Sequence, residues 1–115
     1  MNTQEKIDVL KRARKLIEKP EHWGKESFAK DAEGEAVPVH SRKAVCFCAV
    51  GALIRANPIG GLLQNGAVKE LAAGLGTGRY LDTTKIFNWN DSATHEQMLA
   101  HFDATIARLE QSLAQ

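Results

Sequence analysis

Cys48, His95 and the Asn90-Asp91 pair are the side chains whose types could make a reaction centre: a thiol nucleophile, an imidazole base and a group to orient the base. Their spacing does not assemble that centre by itself. On a helical wheel, Cys48 falls with Ala44, Gly51 and Ala52 on the small-residue side of a helix read over 42–56, well inside it. A reactive thiol needs a depressed pKa, commonly from a helix N-terminus or a paired imidazole, and an interior helical position supplies the first of these to no one. His95 falls in the first turn of the last helix, in line with Phe102 and Ile106, where the helix dipole favours the neutral ring. A small thiol-dependent hydrolase or transferase using Cys48, His95 and Asp91 is therefore the alternative reading. It requires the last helix to pack on the small-residue side of the central one.

The other sulfur and the other imidazoles have simpler expectations. Cys46 points to the bulky side, with Phe47, Val50, Leu53 and Ile54, and reads as core, since free cysteine packs like a small hydrophobe. Two residues apart on a helix the thiols diverge, which excludes a disulfide between them and a shared metal. His22, His40 and His101 show no metal-ligand spacing and read as surface residues, so neither metal nor cofactor is expected. The residues suited to anchoring a ligand or protein partner are Trp23, Arg55, Trp89, Asn90 and Asp91.

The elements that must position these groups are mostly helical. Asn2 and Glu5 form a capping-box pattern at the start of a first helix that Pro20 ends, with Ile7, Leu10, Ala13 and Ile17 on one side and Lys11, Arg12, Lys15 and Lys19 on the other. Asp8 and Glu18 lie within that basic side, which reads as a solvated, salt-bridged face, the alternative being a face whose Lys11, Arg12, Lys15 and Lys19 attract phosphates, nucleic acid or an acidic partner. From 23 to 40 the periodicity lapses and acids predominate, indicating a small hairpin or irregular insertion in which Pro38 confines the second strand to an edge. Ser41 then caps the helix over 42–56, apolar almost all round and therefore central. Asn65 caps a third helix that stops at Gly74, and the following Gly74-Leu75-Gly76-Thr77-Gly78 lacks the Lys-Ser/Thr of a phosphate loop. Thr94 and Gln97 make a second capping box before a last helix whose stripe is Met98, Leu99, Phe102, Ile106, Leu109 and Leu113. The fold class is mainly α: a compact bundle of about four helices in one domain over 1–115.

Two short motifs carry a resemblance. Cys48-Ala49-Val50-Gly51-Ala52-Leu53, followed by Trp89-Asn90-Asp91 ahead of the last helix, is similar to a functionally uncharacterised family of small bacterial and phage proteins, a domain of unknown function. In that family an aromatic and a Gly-rich charged loop precede the Cys-Ala-x-Gly-Ala-Leu helix, positions that Trp23-Gly24, Asp31 and Gly34 would take here. The resemblance implies a shared compact fold and an association with mobile genetic elements, phage or prophage. It brings no activity.

Composition narrows the function classes. A chain of 115 residues with a formal charge of +1 gives no overall electrostatic case for a dedicated nucleic-acid binder. The longest apolar stretch, 44–54, is too short to cross a bilayer, and no signal-peptide core precedes it, so a cytoplasmic location is expected. The leading expectation is a non-enzymatic binding or regulatory module engaging a protein or small ligand, with a groove beside the small-residue face and the Trp89 loop.

Overall fold

The structure, a computed structural model, describes residues 1–57, 66–76 and 81–115. Five α-helices and one two-stranded antiparallel pair are found among them. The expected Asn65 cap and the end of the glycine-rich stretch over 74–78 lie outside the described residues.

Helix α1 runs over Thr3–Leu16 and begins as its sequence dictates: the Asn2 side chain accepts from Glu5 N, and Glu5 reaches back to the Asn2 amide. Its apolar stripe is buried through Ile7, Leu10 and Ala13, continued by Ile17, against α2 (Ala49–Ala56) and α5 (His95–Leu113). Helix α5 opens on the second capping box, Thr94 with Gln97, and buries Met98, Phe102, Ile106 and Leu109, while Leu113 emerges half exposed at the end. Helix α3 (Gly66–Ala73) packs on α1, α4 and α5, and α4 (Asp82–Ser92) packs on α2 and α3.

Cations of α1 find their acids on α5, on α3 and at Glu18 just beyond their own helix, where Arg14 also makes a local pair. Arg14 binds Asp103 at 2.6 Å, Lys11 binds Glu110 at 3.2 Å, and Lys15 reaches the local Glu18 at 3.5 Å. Glu70 on α3 receives Lys6 and Arg108, joining three helices. Asp8, expected to serve Lys11 and Arg12, instead accepts from Gln4.

The central helix is shorter than its hydropathy suggested. It starts at Ala49 rather than Arg42, and the stretch before it is extended: β2 (Cys46–Phe47) pairs antiparallel with β1 (Ala29–Lys30), Ala29 opposite Phe47 and Lys30 opposite Cys46. Val45 N donates to Lys30 O, Cys48 N to Phe28 O, and Gly24 N to Phe47 O, so the main chain of 45–48 is satisfied by 24–30. β-branched Val45 and aromatic Phe47 suit that choice. Ser41 caps no helix; its hydroxyl accepts from Lys43 N in a local turn. The expected hairpin over 28–37 exists in reduced form. Asp31 accepts from the amides of Glu33 and Glu35, Gly34 supplies φ +83°, and a single bridge links Lys30 to Ala36.

The shortened α2 remains the centre of the molecule. Ala49 to Leu53 and Ala56 are all buried, and the helix packs against α1, α3 and α4. Its small-residue side is closed by main chain rather than opened as a groove: a methyl group on Gly51 would stand 1.9 Å from Phe28 O. Trp89-Asn90-Asp91, read from sequence as a loop, forms the last turn of α4, with Ala93 N returning to Trp89 O.

Candidate functional site

The two motifs meet. Asn90, fully buried, accepts two hydrogen bonds at Oδ1, from Trp23 Nε1 at 2.7 Å and from Ala49 N at 2.9 Å, and donates through Nδ2 to Gly24 O at 3.0 Å. Ala49 N is one of the amides that the start of α2 leaves without an intrahelical partner, so a side chain from α4 completes the N-terminus of α2. Next to it Cys48 is the N-cap residue, its Sγ accepting from Gly51 N at 3.3 Å. Asp91 accepts from Glu26 N at 3.1 Å and fixes the backbone there, where Glu26 holds φ +73°. Segments around 23–26, 48–51 and 90–91 are thereby tied into one polar clasp under an apolar cover.

Cys48 thus occupies the start of a helix, not its interior as the sequence suggested. The position by itself would favour a thiolate, and the amides of Gly51 and Val50 act in that direction. Burial overrides them. The side chain has no exposed surface, and desolvation, with a smaller contribution from the Asp91 charge, pushes the thiol up from 9.0 to about 11. At pH 7 the thiolate is roughly one part in ten thousand. Burial also raises the half-buried Cys46, with Lys30 opposing it. Both thiols are free; extended backbone, not helical divergence, is now the geometry that relates them.

His95 sits half-buried, as its stripe position required. Its Nε2–H donates to Ile17 O at 2.8 Å, and its ring lies tilted by 50° against Trp23 with centroids 5.6 Å apart, Lys25 lying over Trp23 at 5.5 Å from the centroid. The structure therefore brings Cys48, Asn90 and Asp91 to one clasp and turns Nε2 of His95 to the end of α1. His101, expected at the surface, is half-buried: it donates to Leu71 O at 2.8 Å, meets Trp89 edge-on at 5.0 Å, and packs on Gly74. Trp89 accordingly covers the core edge. His22 is half-buried and His40 exposed. Among the described residues no three His, Cys, Asp or Glu side chains gather as metal ligands would, and no helix is long and apolar enough to cross a membrane.

The Cys48 thiol gives a test. Its folded-state pKa lies above the unfolded one, so the unfolded chain ionises first as pH rises. Stability is intact below about pH 9 and falls between pH 9 and about 11, by about 2–3 kcal/mol. Urea denaturation of the wild type against Cys48→Ser, which keeps a capping oxygen without ionising in this range, should show a larger alkaline loss in the wild type, the variant retaining only what Cys46 contributes. Iodoacetamide at neutral pH should modify Cys46 well before Cys48.

Open surface occurs elsewhere. Arg12, Lys15 and Leu16 of α1 face Arg55 and Ala56 of α2 across a groove of about 440 Å³. Arg12 Nε donates to Ala56 O at 3.2 Å, while Arg55 Nη1 donates to Val39 O at 2.7 Å and Ser41 O at 3.0 Å with its guanidinium 5.7 Å from the Phe47 ring. A second hollow, of about 310 Å³, is lined by Phe28, Thr83, Thr84 and Phe87. The basic groove was not foreseen as a site: Arg55 stood out in the sequence, but nothing local tied it to Arg12, 43 positions earlier.

Fold and clasp together define a small mainly α domain whose most distinctive residues hold its own segments in place. Within that class, the chain belongs to the family of unknown function DUF6197, which it matches over residues 1–108. No curated protein and no solved structure matches it.

Proposed function

We propose that the protein is a non-enzymatic binding module that engages a negatively charged partner, protein or small ligand, in the groove between α1 and α2. The observation that carries this reading is the state of its two guanidinium groups. Lys6, Lys11, Arg14, Lys15 and Arg108 each have a carboxylate partner, whereas Arg12 is bonded to a main-chain carbonyl and Arg55 to two main-chain carbonyls beside the Phe47 ring, neither with a carboxylate among the described residues. Among the described residues no acid lines the groove they share. Both guanidinium groups line one groove without a carboxylate, and their forked donors suit a bound anion. Trp23, Asn90 and Asp91 serve in this reading as the frame that holds α2 in place, and Trp89 as its cover.

One observation favours the thiol reading with Cys48 as nucleophile and His95 as base: Cys48 begins a helix. Against it stand the burial of the thiol and its raised pKa.

The binding reading is tested with fluorescently labelled polyglutamate and polylysine, followed by anisotropy at low salt. Polyglutamate should bind and polylysine should not, with Arg12→Glu weakening the association about tenfold and added salt dissolving it. Arg12 is exposed, so unchanged circular dichroism and melting temperature in the variant would exclude unfolding as the cause. Absence of polyglutamate binding, or binding indifferent to Arg12→Glu, overturns the reading.

A further inference from the structure

The groove has a second property besides its charge, and the inference drawn from it rests on the binding reading above. Leu16 and Ala56 line the same hollow as the two arginines, and its lining surface is mostly carbon, to which the long aliphatic stems of arginine and lysine are suited to contribute. A hydrated inorganic anion would satisfy the arginines and leave that carbon facing water. The geometry points to an amphipathic organic carboxylate as the ligand: a carboxylate held by Arg12 and Arg55, with an aliphatic body laid over Leu16 and Ala56.

Each part of the groove constrains the ligand. Arginine pairs two parallel N–H groups with the two oxygens of a carboxylate, a match that a single chloride or an alcohol cannot reproduce. Arg12 uses Nε on Ala56 O and Arg55 uses Nη1 on Val39 O and Ser41 O, so the remaining N–H groups of both are the ones available to an incoming oxygen. These main-chain bonds also hold the guanidinium groups in place before any ligand arrives, which lowers the ordering entropy of binding. Apolar contact supplies the rest of the affinity, at about 0.8 kcal/mol for each methylene group taken fully out of water. The volume, about 440 Å³, falls within the range of small-molecule sites, roughly 300–1,000 Å³. A nucleic-acid backbone fits less well, because it offers charge without an adjoining aliphatic body and because Lys11 and Arg14, on the same helix, are already neutralised by Glu110 and Asp103.

The test is an NMR titration of the 15N-labelled full chain at neutral pH with three probes: decanoate below its micelle concentration, decyltrimethylammonium, and inorganic phosphate. Decanoate should shift the amides of residues 12–16 and 53–57 saturably, and Arg12→Gln should weaken it about tenfold, the loss of one charge-assisted pair. Phosphate should bind much more weakly, and the ammonium probe of equal chain length should leave those amides unmoved. Equal affinity for phosphate and decanoate overturns the apolar half of the inference, and equal affinity for the ammonium probe overturns the carboxylate half. Decanoate shifts centred on Phe28 and Phe87 overturn the location. If decanoate is silent while polyglutamate still binds in an Arg12-dependent way, the ligand class is wrong and the groove reading stands; silence of both removes the groove reading itself.

Discussion

Gly51→Ala will destabilise the protein by about 3 kcal/mol or more, although alanine is the better helix former by about 1 kcal/mol. The added methyl would stand 1.9 Å from Phe28 O, 2.7 Å from its carbonyl carbon and 3.2 Å from its Cα. All three are main-chain atoms, so no rotamer change makes room. The carbonyl in the way is also the acceptor for Cys48 N, and the residue after it is the β1 partner of Phe47. Relief of the clash therefore requires β1 to lift off the start of α2, exposing Ala29 and Phe47, which are otherwise buried. For a domain whose total stability is about 5–15 kcal/mol, such a loss is a large share. Urea denaturation followed by tryptophan fluorescence measures it, with Gly34→Ala as the comparison. Gly34 has φ +83° and no atom within 4 Å of the added carbon, so there only the backbone penalty applies, about 1–2 kcal/mol. A Gly51→Ala protein as stable as the wild type would mean that Phe28 does not lie on α2 as described.

The contrast between Gly51 and its surroundings shows which features were legible in the sequence. Both capping boxes were, because Asn2 with Glu5 and Thr94 with Gln97 act within one turn and need no tertiary partner. The apolar stripes of α1 and α5 were legible for the same reason, and so was the central place of α2, apolar but for Arg55. The start of α2 was not. Residues 42–48 are apolar enough to continue a helix, and what makes 46–47 a strand is the chain from 24 to 30, which offers carbonyls and an amide at the right positions. That information is long-range. A helix read from 42 sets Cys48 inside it rather than at its cap, and relates the two thiols by helical divergence where the backbone is in fact extended. Asn90 misled in a similar way. Asn, Asp and Ser in succession favour a loop when weighed by local propensity, yet here Asn90 and Asp91 spend their side chains on α2, Trp23, Gly24 and Glu26, and the backbone is left free to complete α4. His101 lies off the α5 stripe, a position that predicts the surface, and only the placement of α3 and Trp89 covers it. The basic groove depends wholly on how α1 crosses α2, and no spacing in the chain encodes it.

Asn90→Ala should lower stability by about 3–5 kcal/mol, comparable to the largest single-site losses expected in this chain. Truncation removes one acceptor serving two donors and one donor serving Gly24 O, and the indole N–H of Trp23 and the amide of Ala49 are left in a site with no exposed surface on Asn90 itself. Each stranded group costs about 1–3 kcal/mol unless water enters, and water entry would require the clasp to open. A double-mutant cycle identifies the cause. Trp23→Phe deletes the indole N–H and keeps most of the ring, so if the Asn90 bond matters, the two substitutions together will cost less than the sum of each alone, by about 1 kcal/mol. Additive losses would mean that Asn90 acts on Ala49 and Gly24 without Trp23. The outcome bears on function as well as on folding. With the clasp holding, Trp23 and Asn90 are committed to architecture, and the surfaces left for a partner are those where charge or carbon is unspent, the Arg12–Arg55 groove foremost. A folded Asn90→Ala protein with an unchanged denaturation midpoint would release both residues from that duty, and the 23–24 and 89–91 segments would return as candidates for partner contact.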